Sequence, residues 1–170
     1  MNVEPTGARV TREGTSYVVY TRTFQAPIED VWAAVTEPAR LVRWIGTWTG
    51  DPASGQVDFR MTAEGEGAGV EVYRIDTCDP PRRLVTRSQV PGTEFLWRLE
   101  LDLAEKAGVT TLTFAQAMDD AELAASVGPG WDYYLDRLVA AESGGDVTTV
   151  VWDDYVLQGD YYRSAFARAT

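Results

Sequence analysis

The sequence contains no histidine. That absence removes Ser-His-Asp and Cys-His catalysis, in which an imidazole takes and returns the proton. Histidine-bearing zinc sites go with it. The single cysteine, Cys78, builds neither a thiolate metal site nor an internal disulfide. Lysine is nearly missing too: Lys106 is the only one among 15 basic residues, which face 26 acidic ones for a formal charge of −11. Nucleic-acid binding needs clustered Lys and Arg to displace phosphate counterions, so this field has the wrong sign. Anionic membrane surfaces are disfavoured for the same reason. No apolar run reaches the roughly 18 residues of a membrane-spanning helix, and residues 1–12 carry no apolar stretch of the signal-peptide kind. A lone cysteine fits a reducing compartment. The expectation is a cytoplasmic protein with no metal, no cofactor and no nucleic-acid partner.

What is present is a chain of 170 residues, 45% hydrophobic, with six Trp. This length predicts one domain that buries about 70% of its unfolded surface, without disulfides or metal to hold it. Trp is bulky and amphipathic, so six of them imply a large core, a large cavity or both.

Residues 1–12 read as a loose lead-in. Tyr17 to Phe24 reads as a strand rich in Tyr, Val and Thr. Pro27 suits the first turn of a helix, Glu29 and Asp30 suit its dipole, and Ile28, Val31, Trp32 and Val35 recur at helical spacing. After Thr36-Glu37-Pro38, a second short helix carries Leu41, Val42, Trp44 and Ile45. Trp48 to Gln56 reads as a loop. Val57, Phe59 and Met61 alternate with polar residues as a half-buried strand. Glu64 to Gly69 reads as a hairpin turn, its glycines permitting a flap over a cavity mouth, before a strand from Val70 to Asp76. Asp79-Pro80-Pro81 breaks the chain, Arg82 to Ser88 gives another strand, and Pro91-Gly92 marks a turn.

The clearest strands come next. Phe95, Trp97, Leu99, Leu101 and Leu103 alternate with Leu96, Arg98, Glu100 and Asp102. After a turn at Glu105 to Gly108, Thr110, Leu112, Phe114, Gln116 and Met118 alternate in the same way, which predicts a long hairpin. Ala121 to Ser126 reads as a short helical turn and Gly128-Pro129-Gly130 as punctuation. Trp131, Tyr134, Leu135 and Leu138 then predict an amphipathic helix ended by Gly144-Gly145. Helices segregated from a run of antiparallel strands imply an α+β domain of about six strands. The domain is expected over residues 1–145. Residues 146–170 form an aromatic and acidic tail whose five aromatics predict packing on the domain itself or on a second subunit as a C2 dimer.

Several segments in order resemble a known family. They are Arg22 to Pro27, Val31 to Pro38 with Leu41 and Trp44, then Gly55, Asp79 to Leu84, Gly108 to Leu112, and Gly130-Trp131 with Leu135 and Leu138. Over about residues 17 to 142 the chain is similar to the Hsp90-ATPase-activator-like (AHSA1-type) family. That family belongs to the START-like, polyketide cyclase and Bet v 1-like (SRPBCC) superfamily. The resemblance implies a helix-grip fold, a curved antiparallel sheet around a long C-terminal helix, with a cavity between them. It also implies relatives that bind lipids, sterols, polyketides or other apolar molecules, some of them enzymes. It carries no fixed catalytic motif onto this chain.

The inward apolar set is Trp44, Phe59, Met61, Trp97, Phe114, Met118, Trp131 and Tyr134. These residues fill a core or line a cavity, and both need the same side chains. Gln116 lies among them, where a buried amide must find a partner. It either orients a ligand or bonds a neighbour. The Gly65 to Gly69 stretch lacks the following helix of a phosphate loop and carries repelling carboxylates. Asp119-Asp120 and Asp153-Asp154 lack calcium-loop spacing. The leading expectation is binding of a small apolar or amphipathic molecule without catalysis. The alternatives are a cyclase, aromatase or hydrolase, and a protein-interaction module of the co-chaperone kind. Alternation places Glu100, Asp102 and Asp58 outward, with no inward carboxylate pair, which weighs against the enzyme.

Overall fold

The structure, a computed structural model, describes residues 2–63, 69–89 and 96–168. Among these, eight strands form one sheet: β1 (Ala8–Arg12), β2 (Thr15–Phe24), β3 (Gly46–Thr49), β4 (Gln56–Met61), β5 (Val70–Asp79), β6 (Arg83–Gln89), β7 (Leu96–Lys106) and β8 (Val109–Ala117). Four α-helices accompany them: α1 (Ile28–Thr36), α2 (Pro38–Leu41), α3 (Ala121–Glu142) and α4 (Gly159–Phe166). The strand order is β1-β2-β8-β7-β6-β5-β4-β3, and every neighbouring pair is antiparallel. Because β2 and β3 lie far apart in this order, α1 and α2 carry the chain across the sheet. This is an α+β helix-grip fold, with α3 held against the sheet's inner face.

The β7–β8 hairpin follows from period-two patterning. Leu99, Leu101 and Leu103 stand opposite Gln116, Phe114 and Leu112, and all six are buried. Ala107 and Gly108 turn the chain with φ of 52° and 78°. Two positive values make a turn whose twist matches the strands it joins. Helix α1 buries Ile28, Val31, Ala34 and Val35. Its first amide, Ile28 N–H, donates to the Glu105 carboxylate of β7 at 2.8 Å, where helix dipole and charge reinforce each other.

The observed sheet has eight strands where about six were expected. Residues 8–12 are not a loose lead-in: they pair with Thr15–Val19 as an edge strand. That strand is almost wholly exposed, so it has no apolar alternation to betray it. The expected second helix stops at Leu41, and β3 begins at Gly46, within what read as helix end and loop. A side chain at Gly46 would overlap the Arg60 carbonyl of β4, so only glycine lets these two backbones approach. The turns at Glu64 to Gly69 (Gly69 itself apart) and at Pro91-Gly92 lie outside the described residues, as does Phe95.

The long helix is also corrected. It runs unbroken for 22 residues from Ala121, with Pro129 inside it, rather than starting at Trp131. The Asp120 carboxylate caps it by accepting from Leu123 N–H at 2.7 Å. Gly144 follows its end with φ 76°. Gly128 is a packing residue, not a breaker: a Cβ there would overlap the Tyr162 ring.

Tyr162 belongs to α4, which lies along α3. Three 3-10 turns over residues 147–158 lead into it, and Tyr155, Tyr162 and Phe166 are buried. A polar cluster fastens this tail. Asp132 of α3 is fully buried. It accepts from Thr6 N–H at 3.1 Å, from the Thr6 hydroxyl and from the Tyr162 hydroxyl, and it pairs with Arg22 at 3.1 Å. Arg22 also pairs with Asp136, to which the Tyr155 hydroxyl donates at 2.6 Å. Burial, then the Asp132 charge, push the Tyr162 phenol well up, so it stays a donor. Among the described residues no helix is long and apolar enough to cross a membrane, and no group of three or more His, Cys, Asp or Glu side chains is placed to hold a metal.

Candidate functional site: two adjoining cavities

Strand register lays the sheet's inner face out in rows. One row runs Tyr73, Ser88, Trp97; the next Ile75, Thr86, Leu99, Gln116, Val18; the next Cys78, Leu84, Leu101, Phe114, Tyr20. Irregular pairing between Ile75 and Thr77 keeps Ile75 and Cys78 on one face although they are three residues apart, as a bulge does.

Over the second and third rows sits a cavity of about 440 Å³. Its floor includes Ile75, Thr86, Leu99, Leu101 and Phe114. Its roof is Trp32 and Val35 of α1, Leu41 of α2, then Trp44 and Ile45, with Trp131 of α3 at one side. The roof indoles are anchored by their polar edges. Trp44 Nε1 donates to the Ala34 carbonyl at 2.9 Å and Trp48 Nε1 to the Thr36 carbonyl at 2.8 Å. With each N–H satisfied by backbone, the apolar ring surface is left for the cavity. Three wall residues, Glu37, Pro52 and Cys78, are exposed and mark its mouth.

A second cavity, of about 590 Å³, adjoins the first. Ile45, Tyr73 and Trp131 line both. Trp131 is fixed between them: its ring lies 4.3 Å from Phe114 and 6.4 Å from Tyr134, and its Nε1 donates to Gln116 Oε1 at 2.5 Å. The other walls include Met61, Glu71, Trp97, Tyr133, Tyr134 and Trp152. Burial pushes the Tyr73 phenol well up, with the Glu71 charge adding to it, and Tyr73 hydrogen-bonds both Glu71 and Ser88.

Of the nine residues singled out in the sequence, Trp44, Phe59 and Phe114 line the first cavity. Met61, Trp97 and Tyr134 line the second, and Trp131 lines both. Gln116 and Met118 are in neither wall. Met118 is core, and Gln116, fully buried, holds Trp131 while its Nε2 finds no partner among the described residues. Of the three carboxylates placed outward, Glu100 is nevertheless buried. Burial pushes its carboxyl up, but Arg83, Tyr17 and Arg98 outweigh that and hold it below the usual range.

Sequence reasoning missed Glu71, Tyr73, Tyr133 and Trp152. In β5, Glu71, Tyr73 and Ile75 alternate with Val70, Val72 and Arg74. Each set mixes apolar with charged residues, so composition does not say which face is inward. Only the pairing of Glu71 with Phe59 and of Tyr73 with Val57 decides it.

Comparison with known proteins places this geometry. The model of the family described as Activator of Hsp90 ATPase homolog 1-like protein matches residues 25–142. A search of curated proteins finds no match. Among solved structures, the chain is similar to CalU16 from Micromonospora echinospora, with 25% identity and a TM-score of 0.75 over 97% of this chain and 98% of that one. It is similar to DynU16, a protein of the dynemicin biosynthetic locus, with 25% identity and a TM-score of 0.64. There the match covers 76% of this chain and 48% of DynU16. EF2215 from Enterococcus faecalis, a conserved protein of unknown function, shares the fold at 15% identity, with a TM-score of 0.71 over 95% of this chain and 92% of that one.

Proposed function

This chain belongs to the family of Activator of Hsp90 ATPase homolog 1-like proteins, and from that premise we propose that it binds a small apolar molecule in the first cavity. The observation that carries the reading is a cavity of about 440 Å³ between the sheet and α1–α2, walled almost wholly by apolar side chains. A guest that covers these apolar walls takes them out of contact with water, which is favourable by about 25 cal/mol for each Å² buried. The volume is that of ordinary ligand pockets, about 300–1,000 Å³. Thr86 on the floor and Thr36 at the rim are sparse hydroxyls of the kind that orient a mainly apolar guest. The place of DynU16 in a biosynthetic locus supports a small organic molecule as the cargo.

Cys78, exposed at the mouth, supplies a reporter. A neutral apolar fluorophore such as N-phenyl-1-naphthylamine is expected to bind saturably at one site and to slow alkylation of Cys78. Ile75→Trp, which fills the floor from a half-buried position, is expected to weaken that binding about tenfold or more while the melting temperature holds. Non-saturable uptake, or uptake indifferent to Ile75→Trp, contradicts the reading.

A further inference from the structure

The second cavity differs in character from the first. Six aromatic rings line it, from Tyr73, Trp97, Trp131, Tyr133, Tyr134 and Trp152, and among the described wall residues Glu71 is the one carboxylate. No Lys or Arg is among those wall residues. The rings meet edge to face. Tyr133 and Tyr134 are 5.0 Å apart at 63°, and Tyr133 and Trp152 are 5.5 Å apart at 78°. An aromatic ring carries the negative side of its quadrupole on its face. A space walled by so many aromatic rings, with one formal negative charge among its described wall residues, suits a cation, most of all one clad in alkyl groups that is weakly hydrated.

We infer that the second cavity binds an organic ammonium group, surrounded by these rings and neutralised by Glu71. Tyr133 already takes a resident cation: the Arg137 guanidinium lies 5.5 Å from its ring centre, held outside the walls by the Trp44 and Val147 carbonyls at 2.9 and 3.4 Å. Tyr73 orients the Glu71 carboxylate from the same strand, with Ser88 behind it. Because Trp131, Tyr73 and Ile45 border both spaces, and resting here on the reading of the first cavity as an apolar site, the complete ligand is a cationic amphiphile. Its hydrocarbon lies under α1 and α2, and its ammonium lies against Glu71.

Calorimetry with hexyltrimethylammonium, hexan-1-ol and hexyl sulfate tests this on the wild type, Glu71→Gln and Trp152→Leu. The wild type is expected to bind the ammonium about tenfold more tightly than the alcohol, the scale of a desolvated cation–π site, and the sulfate least. Glu71→Gln is expected to bring the ammonium to within about twofold of the alcohol and leave the alcohol unchanged. Trp152 is 42% exposed, so Trp152→Leu keeps the fold and is expected to weaken only the ammonium. Equal binding of ammonium and alcohol overturns the inference and spares the apolar site. A preference that survives Glu71→Gln also overturns it, since the bulk charge of −11 then suffices. If neither six-carbon ligand binds, the apolar reading falls. Tetramethylammonium alone then decides: binding that Glu71→Gln removes sustains the ammonium site, and no binding ends it.

Discussion

Asp132 shows how one residue joins parts of the chain that lie far apart in sequence. It is fully buried on α3, and it collects Thr6 from the N-terminal segment, Arg22 from β2 and Tyr162 from α4. A buried carboxylate is tolerable only when paired and fully hydrogen-bonded, and removing one member of such a set strands the others. Asp132→Ala is therefore expected to cost about 3–5 kcal/mol, read from the urea midpoint at constant slope. Apolar ligand binding to the surviving native fraction should persist, because Asp132 is in neither cavity wall. A cost below about 1 kcal/mol contradicts this account. Nothing in the pattern around Asp132 announced the role. It sits between Trp131 and Tyr133 like any helix-surface acid, and its burial comes from a tail some thirty residues away.

At the scale of elements, α3 separates two glycines that look alike in sequence. Gly128 faces the Tyr162 ring with no room for a Cβ, while Gly130 has open space. Alanine favours a helix over glycine by about 1 kcal/mol. Gly130→Ala should therefore stabilise by about 0.5–1 kcal/mol, and Gly128→Ala should destabilise by about 1–3 kcal/mol through overpacking. Thermal or chemical denaturation of the two variants side by side checks the sign. Equal effects would mean that α4 does not press on α3 as described. The same helix marks where sequence was legible. Trp131, Tyr134, Leu135 and Leu138 showed its periodic stripe, but Gly-Pro-Gly concealed its first half, because local propensity cannot see the packing that overrides it. The β7–β8 hairpin read true, since Leu99, Leu101, Leu103, Leu112 and Phe114 alternate with their neighbours and are buried. β1 and β3 did not: one is exposed and the other is four residues long, so neither carries a period.

For the whole molecule, the family resemblance and, β3 apart, the order of elements from β2 to α3 were readable. The division of the interior into two chambers was not. Trp44, Phe59 and Phe114 announced themselves as inward aromatics, but whether they touch one another or an empty space depends on how far α1 and α2 stand off the sheet. The Trp44 and Trp48 anchors tie α1 to the segment from α2 into β3 through backbone carbonyls, and such side-chain-to-backbone bonds leave no mark in the hydrophobic pattern. Glu71 was hidden for a related reason, because the register of β4 against β5 decides its face.

Crystals soaked in 1-bromohexane, with data collected at the bromine edge, ask directly whether the first chamber takes a guest. An anomalous peak within the walls formed by Trp44, Leu99 and Phe114, absent from Ile75→Trp crystals, is the result expected. A saturating soak that places bromine only at the protein surface would contradict the proposal that this fold encloses an apolar binding site.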